Sequence, residues 1–516
     1  MCFVNDELMK RQINIQLGSV LLICLATLIA CGQDREKDLD RFFKALAQNQ
    51  QFSGNVLVAE RGKIIYEKSF GFADFAAKTK NTKSISFPIA SVSKLFTATA
   101  ILQQIEQGQL RLNDPVVKFI PEFPYSTITI RHLLSHTSGL PPYNAFFDSV
   151  RKENPKKVFT NSDFLAGLIA NPKPLIYQPG EKGNYDNVNY IVLALILEKV
   201  TGMTLSDYVE KNILKPAGMN DTVFFPLTKQ LDPANNTKNF AFSHLYLHQY
   251  SETPIKSSTI PYVASYWHAY GFNGFGDYVS TTHDLLKFDE AYYSGKLLKA
   301  STTKEAFTPI KLNDGTVNPG LFGLGWEVEK DDSLGQITYH SGAAIALSCV
   351  LLRNITKHQT VVLFDNTHYN AHEDASNALK ILNGINVPPP KKSLARVYGQ
   401  ILLSKGEKVA QMTIEKLKSD TVKYYLNEEE FNTLGYDFLG INNPYELPEE
   451  HRYQEALATF KLNTELFPTS SNAYDSYGEA LLKVGRKDEA IKMYRKSVEL
   501  NPKNENGKKI LEQLNK

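Results

Sequence analysis

Residues 91–110 read SVSKLFTATAILQQIEQGQL, and the fold of this chain is best inferred from this stretch. Ser91 lies at its start, where the backbone N–H groups of a helix are free and the helix dipole is positive. Lys94 lies three residues further on, on the same helix face. An ammonium group among apolar neighbours tends to lose its proton, so Lys94 is a candidate base for the Ser91 hydroxyl. Apolar residues recur at helical spacing and predict a buried helix: Val92, Leu95, Phe96, Leu102 and Ile105.

The tetrad S-x-x-K occurs three times in the chain, so the tetrad alone indicates little. The other two copies are residues 149–152 and 301–304. Charged residues or Pro309 follow them in place of an apolar helix, and we expect both copies to lie on the solvent-exposed surface. The copy that begins at Ser91 therefore remains as the candidate reactive hydroxyl.

Two further segments place polar side chains next to apolar elements. Tyr185 and Asn187 lie just before an apolar run at residues 191–200 that predicts a helix. A tyrosine can relay a proton, and an asparagine amide offers a donor and an acceptor to an amide or ester substrate. His340 and Gly342 lie at the end of a strand-like segment, where the missing side chain of Gly342 would let a substrate carbonyl approach the strand edge.

In this order, S-x-x-K early, Y-x-N in the middle and H-x-G late on a strand, the motifs resemble those of the penicillin-recognising serine hydrolases. The resemblance is to the branch that contains class C β-lactamases, DD-peptidases and related esterases. Two other segments fit it, RHLLSHTSGLP at residues 131–141 and GFNGFGDYVSTTHDLLKF at residues 271–288. The resemblance covers about residues 53–385 and implies a serine hydrolase.

The resemblance also implies a role for each matching residue. Ser91 would be the acylated nucleophile, and Lys94 its base or electrostatic partner. Tyr185 would pass a proton to the leaving group, and Asn187 would hold the carbonyl side chain of the substrate. The oxyanion hole would consist of the backbone N–H groups of Ser91 and Ala343. Whether Lys94 or Tyr185 takes the first proton stays open from the sequence.

The late motif departs from that of true β-lactamases, which have K-T-G where this chain has H-S-G. A histidine at residue 340 can be neutral at pH 7, which weakens a permanent site for a substrate carboxylate. We therefore expect His340 and Gly342 to contact a broader range of acyl substrates than the K-T-G motif of a true β-lactamase does. We expect an esterase, a D-amino-acid peptidase or a DD-peptidase rather than a β-lactamase.

Strand-like segments lie at both ends of the hydrolase region, with helical patterns and Pro/Gly loops between them. Residues 54–60 and 63–70 predict a hairpin, and residues 371–382 predict a helix. Further strands are predicted at residues 325–329, 337–340, 346–353 and 360–365. This order predicts the α+β class: one antiparallel sheet flanked by helices with a large helical insertion, followed by an all-α helical-repeat module.

The last segment carries a repeat with a period of 34 residues. Three pairs have this separation: Pro468 and Pro502, Ala456 and Ala490, and Phe460 and Tyr494. With Gly478, the spacing resembles that of tetratricopeptide repeats over residues 430–516. Two repeats and a capping helix are few for independent stability, so we expect them to pack on helices near residues 393–403 and 409–417.

Composition excludes several functions and scaffolds. A net charge of +2 argues against a nucleic-acid partner. Four cysteines in 516 residues rule out a disulfide-stapled scaffold. No Cys/His cluster predicts a zinc site, and the pairs His244/His248 and His368/His372 lack an evident third ligand. No metal or other cofactor is therefore expected.

The N-terminal segment has the pattern of an export signal. Residues 17–30 are uncharged and apolar, follow Lys10 and Arg11, and end at Cys31. The run is too short to span a bilayer comfortably but suits the apolar part of a signal peptide. The sequence L-I-A-C before and at Cys31 resembles a bacterial lipoprotein signal, which implies lipidation of that cysteine. Met9 opens a more typical basic leader than Met1, so we expect translation to start there.

These features predict five segments. They are a signal peptide (1–31), a tether with a first helix (32–52), a serine hydrolase domain (53–386), linker helices (387–429) and repeats (430–516). We expect a lipoprotein that is exported, anchored to the cell-envelope membrane, acts on a small-molecule or peptide acyl substrate, and binds a protein partner through its repeats. The alternative is a catalytically vestigial, ligand-sensing scaffold that binds its partner through the repeats.

Overall fold

A computed structural model of the chain describes residues 35–514 apart from 143, 155, 268, 369, 442–444 and 446–450. The proposed signal peptide and Cys31 lie outside the described residues. Within the described part, no helix is by itself long and apolar enough to cross a bilayer. The bent pair Val188–Thr201 and Leu205–Ala217 has the length and apolar composition of a membrane span only when its two helices are counted together.

A six-stranded antiparallel sheet joins the two ends of the hydrolase region. Its strands are β1 (Gly54–Glu60), β2 (Lys63–Phe70), β3 (Glu327–Asp331), β4 (Gly335–Ala344), β5 (Leu347–Asn354) and β6 (Gln359–Asp365). Their order across the sheet is β3-β4-β5-β6-β1-β2. The pairing of β1 with β6 runs from Gly54 opposite Asp365 to Glu60 opposite Gln359. The predicted hairpin is therefore confirmed, and the late strands lie within a few residues of their predicted positions.

Helices cover both faces of the sheet, which explains why β1 is buried along most of its length. Val56 and Val58 face a cluster that includes the first helix, α1 (residues 35–48), whereas Leu57 between them faces the opposite cluster. Phe43 of α1 is fully buried in that first cluster. The helix that we expected beside the tether thus packs into the hydrolase core.

The large insertion between β2 and β3 is mainly helical. Its longest helices are α2 (Lys94–Glu106), α3 (Val188–Thr201) and α4 (Thr282–Tyr293). Shorter helices are Ile130–Leu134, Asn144–Glu153, Asn161–Ala170, Leu205–Val209, Pro261–Trp267 and Ala300–Ala306. Helix α5 (Ala371–Leu382) closes the opposite face of the sheet at the predicted residues. The predicted α+β class with a helical insertion is confirmed.

Seven helices follow α5 in the described part of the chain. They are α6 (Leu394–Lys405), α7 (Glu407–Leu417), α8 (Glu428–Leu439), α9 (Tyr453–Leu466), α10 (Ser471–Lys483), α11 (Lys487–Leu500) and α12 (Glu505–Leu514). Gly435 of α8 lies under the ring of Phe460, and Gly478 of α10 lies under Tyr494; an added Cβ would come within 2.5 Å and 2.9 Å of these rings. The same contact recurs in both helix pairs, as a repeat requires.

The repeats share a core with the linker helices. Leu394 and Tyr398 of α6 and Ile414 of α7 belong to the same buried cluster as Phe431 and Phe460. The expected packing of the repeats on these helices is therefore confirmed.

Candidate active site

Ser91 lies in a short 3₁₀ turn, Ala90–Ser93, and the α-helix begins only at Lys94. Ala90 has a φ of 41°, an uncommon left-handed conformation for a residue other than glycine. Strand β4 packs against this turn so closely that a Cβ at Gly342 would lie 2.5 Å from the Ile89 carbonyl oxygen and 3.0 Å from the Ser91 nitrogen. The absence of a side chain at Gly342 therefore leaves room for the turn that carries Ser91. From the sequence we expected it to leave room for a substrate carbonyl instead.

Lys94 is fully buried beside Ser91. Its Nζ lies 2.9 Å from Ser91 Oγ and 2.8 Å from Asn187 Oδ1, and 3.4 Å from the backbone oxygen of Phe275. Burial disfavours the ammonium form and lowers the pKa of Lys94 to about 7, although the nearby carboxylate of Asp277 acts in the opposite direction. At neutral pH a large share of Lys94 side chains is therefore uncharged.

Tyr185 closes the same group of side chains from the solvent side. Its ring centroid lies 4.8 Å from Lys94 Nζ, and the ring is 41% exposed. The loss of water around the hydroxyl raises the pKa of Tyr185 above its usual value, although an interaction with Ser91 opposes this shift. Tyr185 consequently stays protonated at neutral pH.

His340 is buried at the end of the pairing between β3 and β4. Its Nδ1 donates to the Ser341 carbonyl oxygen at 2.7 Å, and its Nε2 is buried without a hydrogen-bond partner in the described part of the protein. Burial, together with the charge of Lys94, lowers the pKa of His340 to about 3. The imidazole is neutral at pH 7, with its proton on Nδ1.

Strand β3 covers only the first half of β4. Its partners run from Gly335 to Tyr339, and β4 continues to Ala344. Within the described residues, the edge that carries Ala343 is therefore not paired by β3. This leaves an open strand edge beside Ser91, where the carbonyl group of a substrate can align.

Known proteins resemble this chain over the hydrolase domain and over one repeat. A sequence profile described as Beta-lactamase matches residues 39–384, and one described as Tetratricopeptide repeat matches residues 471–504. A penicillin-binding protein of Bacillus subtilis (strain 168) is 34% identical over 335 residues, which cover 65% of this chain and 72% of the relative. The chain belongs to the β-lactamase family.

Solved structures agree with the assignment to this family of serine hydrolases. A penicillin-binding protein from Bacillus halodurans has 26% identity and a TM-score of 0.53, and the match covers 66% of this chain and 98% of that chain. D-amino acid amidase from Ochrobactrum anthropi SV3 has 20% identity and a TM-score of 0.53, over 67% of this chain and 99% of that chain. The likeness to the amidase shows a shared fold.

Two residues of this β-lactamase-family site were not singled out from the sequence. Asp277 is fully buried and accepts the N–H of Gly274 at 2.7 Å, which shapes the loop whose Phe275 carbonyl contacts Lys94. His136 is buried too, accepts the N–H of Asp186 at 3.2 Å, and places its ring 4.5 Å from that of Tyr185. His136 lies in the segment 131–141 and Asp277 in the segment 271–288, both of which fit the family resemblance. That resemblance was the signal in the sequence that pointed to these two residues.

Other sequence candidates lie away from the site. Ser301 and Lys304 are exposed on the surface, as expected. Among the described residues, no group of three or more His, Cys, Asp or Glu side chains could hold a metal ion.

Tyr246 and Tyr250 lie in the segment before the helix Pro261–Trp267. Arg396 of α6 stacks on Tyr246 with its Cζ 4.4 Å from the ring centroid. Tyr250 stacks on Phe438 of α8 at 4.6 Å. These tyrosines contact the helices that follow the hydrolase domain.

Proposed function

We propose that this protein hydrolyses esters or amides through an acyl-enzyme on Ser91. The observation that carries the proposal is the position of Lys94, fully buried with its Nζ 2.9 Å from Ser91 Oγ and its pKa lowered to about 7. A buried amine of this kind can remove the serine proton at neutral pH.

The contacts of Lys94 support it as the first base. A neutral amine has two N–H groups and one lone pair. Asn187 Oδ1 and the Phe275 carbonyl oxygen can each accept one N–H, which leaves the lone pair for the hydroxyl of Ser91. Tyr185 has a raised pKa and keeps its proton, which suits a donor rather than a base.

The reaction then proceeds in two halves. Ser91 Oγ attacks the substrate carbonyl as its proton moves to Lys94, and the N–H groups of Ser91 and Ala343 stabilise the oxyanion. Tyr185 donates its proton to the departing alcohol or amine and is reprotonated from Lys94. Water then attacks the acyl group by the same proton path, which releases the acid and restores Ser91.

The neutral protonation state of His340 favours substrates that place no carboxylate beside this side chain. The neutral ring carries its proton on Nδ1, so Nε2 accepts a hydrogen bond and would repel a carboxylate. A D-amino-acid amide or a simple ester meets this requirement better than a penicillin or cephalosporin, whose carboxylate needs a cation. We therefore propose an esterase or D-amino-acid peptidase type, with DD-peptidase activity less favoured by the same argument and β-lactamase activity the least favoured.

The experiment measures turnover of a p-nitrophenyl ester and labelling by a fluorophosphonate. We expect one adduct, on Ser91, and a loss of turnover of at least about 10³-fold in Ser91→Ala. Ser301→Ala, in the exposed S-x-x-K copy, is the matched control and should retain full activity. Unchanged turnover in Ser91→Ala, or a folded protein without an adduct, would contradict the proposal and favour the vestigial scaffold.

A substrate panel tests the specificity. We expect turnover of esters and D-amino-acid amides, and slower turnover of a cephalosporin. A cephalosporin that reacts faster than the ester would contradict the role proposed for the neutral His340.

We further propose that the protein is an exported lipoprotein, anchored to the cell-envelope membrane through Cys31, with repeats that bind a protein partner. The apolar run before Cys31 and the tetratricopeptide resemblance support this. In a bacterial host, Cys31→Ala should move the protein from the membrane fraction to the soluble fraction. An unaltered membrane fraction would contradict the anchor.

A further inference from the structure

A cavity of about 470 Å³ lies between the hydrolase domain and the helices that follow it. Residues 245–249 and the segment after β6 form one wall, and residues of α6 and α8 form the other. The two sides are held together at its border, where the N–H of Gln249 donates to Asp437 at 2.7 Å and the Gln51 amide donates to the Lys391 carbonyl oxygen at 3.1 Å. The cavity is therefore bounded by fixed contacts from both parts of the protein.

Arg396 presents a guanidinium to this cavity, and the carboxylate of Glu430 in the same cavity favours its charged form without an ion pair between them in the described part of the chain. Its guanidinium stacks on Tyr246 at 4.4 Å, an arrangement that leaves the edge with the N–H donors free. Its Nε is buried without a hydrogen-bond partner, and in the described part of the chain the side chain makes no ion pair. A partly buried guanidinium whose Nε has no acceptor is costly, so an additional anionic group in the cavity would stabilise it.

The same cavity also contains negative charge. The carboxylate of Glu430 accepts the hydroxyl of Tyr425 at 2.6 Å and the hydroxyl of Ser393, and Asp437 lines the cavity as well. A carboxylate has about four acceptor positions, so Glu430 retains capacity for a further donor. A ligand with a single negative charge would satisfy Arg396 but would face these two acids.

We propose that this cavity binds a zwitterionic ligand, a free amino acid or a short peptide, with its carboxylate on Arg396 and its ammonium group on Glu430. Arg396 is positively and Glu430 negatively charged, so they complement the carboxylate and the ammonium group of such a ligand. Both residues belong to the C-terminal helices. The opposite wall, which includes the amide of Asn370, comes from the hydrolase domain. Occupancy would thus contact both parts of the protein and strengthen their association.

Calorimetric titration of the purified protein with L-alanine and L-alanyl-L-alanine tests the proposal. We expect saturable binding of at least one of them, and a loss of at least about 10-fold in affinity on amidation of its carboxylate or acetylation of its amine. Binding should also raise the midpoint of thermal unfolding. Alanine alone would identify an amino-acid site, whereas a preference for the dipeptide would identify a peptide site, and either result supports the proposal.

Variants separate this cavity from the active site. Arg396→Gln should lower the affinity for the free ligand at least about 10-fold. It should also remove the difference in affinity between the free and the amidated ligand. Arg495→Gln, at an exposed arginine of α11, is the matched control and should bind as the unaltered protein does. Ester hydrolysis should be retained in both variants, which shows that they are folded.

Three results would overturn the proposal. They are the absence of binding of both probes at millimolar concentration, equal affinity for free and amidated forms, and undiminished binding in an Arg396→Gln variant that still hydrolyses esters. The last result would assign the binding to the active site instead.

Discussion

At the scale of single residues, the reactivity that we propose for Ser91 depends on the burial of the Lys94 amine. Lys94 has no exposed surface and keeps three neighbours with oxygen atoms within hydrogen-bonding distance. Because burial lowers its pKa to about 7, the base is lost as the pH falls below that value and gained as the pH rises through it.

We expect kcat/KM for ester hydrolysis to rise between about pH 5 and pH 9 along a curve with an apparent pKa near 7. Lys94→Arg should lower kcat by about 10³-fold or more, since a guanidinium does not lose its proton in this range. Lys304→Arg, in the exposed tetrad, is the matched control and should leave the profile unaltered. A pH-independent rate over this range would show that Lys94 is not the base.

Gly342 has an equally local effect on the turn that carries Ser91, whose N–H group belongs to the proposed oxyanion hole. An added Cβ would lie 2.5 Å from the Ile89 oxygen and 2.7 Å from Cys349 Sγ, so the turn before Ser91 has to move. We expect Gly342→Ala to lower kcat about 10²-fold by displacing the backbone donors, with a loss of about 1–3 kcal/mol in the free energy of unfolding. Steady-state kinetics and urea unfolding measure the two effects.

Gly167→Ala is the control for this substitution, because a Cβ at Gly167 meets no atom within 4 Å. It should leave kcat unaltered. An active Gly342→Ala with unaltered kcat would mean that the turn tolerates displacement and that β4 does not fix the nucleophile.

At the scale of elements, a buried ion pair connects helix α4 to the sheet. Arg353 of β5 bonds to the carboxylate of Asp289, and its guanidinium also donates to the Asp289 carbonyl oxygen at 2.7 Å. Both side chains are excluded from solvent, and Thr360 of β6 donates to the same carboxylate. The guanidinium lies 4.4 Å from the ring of Tyr293, which encloses the pair further.

We expect Asp289→Leu to lower the free energy of unfolding by about 3–5 kcal/mol, because it leaves the Arg353 charge buried and unpaired. The double variant Asp289→Leu/Arg353→Met should recover most of that loss, since no charge then remains inside. Chemical unfolding of the single and double variants forms the test. A double variant whose loss equals the sum of the two single losses would show that Asp289 and Arg353 are not coupled, and would contradict this prediction.

The exposed pair Arg486–Glu489 on the surface of the repeats provides the comparison. Its removal by Glu489→Gln should leave the free energy of unfolding unaltered, because water solvates both charges.

At the scale of the whole molecule, the hydrolase domain and the repeats are joined by a small set of specific contacts. Tyr250 projects from the hydrolase domain and stacks on Phe438 with an angle of 3° between the ring planes. The backbone of Gly399 in α6 approaches the same tyrosine, where an added Cβ would lie 3.0 Å from the Tyr250 Cβ. The two parts therefore touch at positions that leave little free space.

We expect Tyr250→Ala to loosen this contact while the chemistry at Ser91 continues. Hydrogen exchange of the α8 amides should accelerate about 10-fold, because the lost stack and buried area favour local opening. Tyr453→Ala, at a tyrosine that is 38% exposed on α9, should not have this effect. If exchange in α8 stays slow in Tyr250→Ala, other contacts hold the repeats in place.

Much of the site could be anticipated because the family motifs are short. Ser91 and Lys94 are three residues apart, and Tyr185 and Asn187 precede a strongly apolar helix, so local spacing was informative. Asp277 and His136 act through backbone N–H groups and ring contacts, which no local pattern specifies.

The sequence by itself determined the elements whose signals are local. These include the hairpin of β1 and β2, helix α5, the 34-residue period of the repeats and the order of the catalytic motifs. Only the tertiary structure decided that Lys94 has a pKa of about 7, that His340 is neutral and that Tyr246 and Tyr250 face the C-terminal helices. Periodicity belongs to neighbouring residues, whereas desolvation and stacking depend on groups that folding brings together from distant parts of the chain.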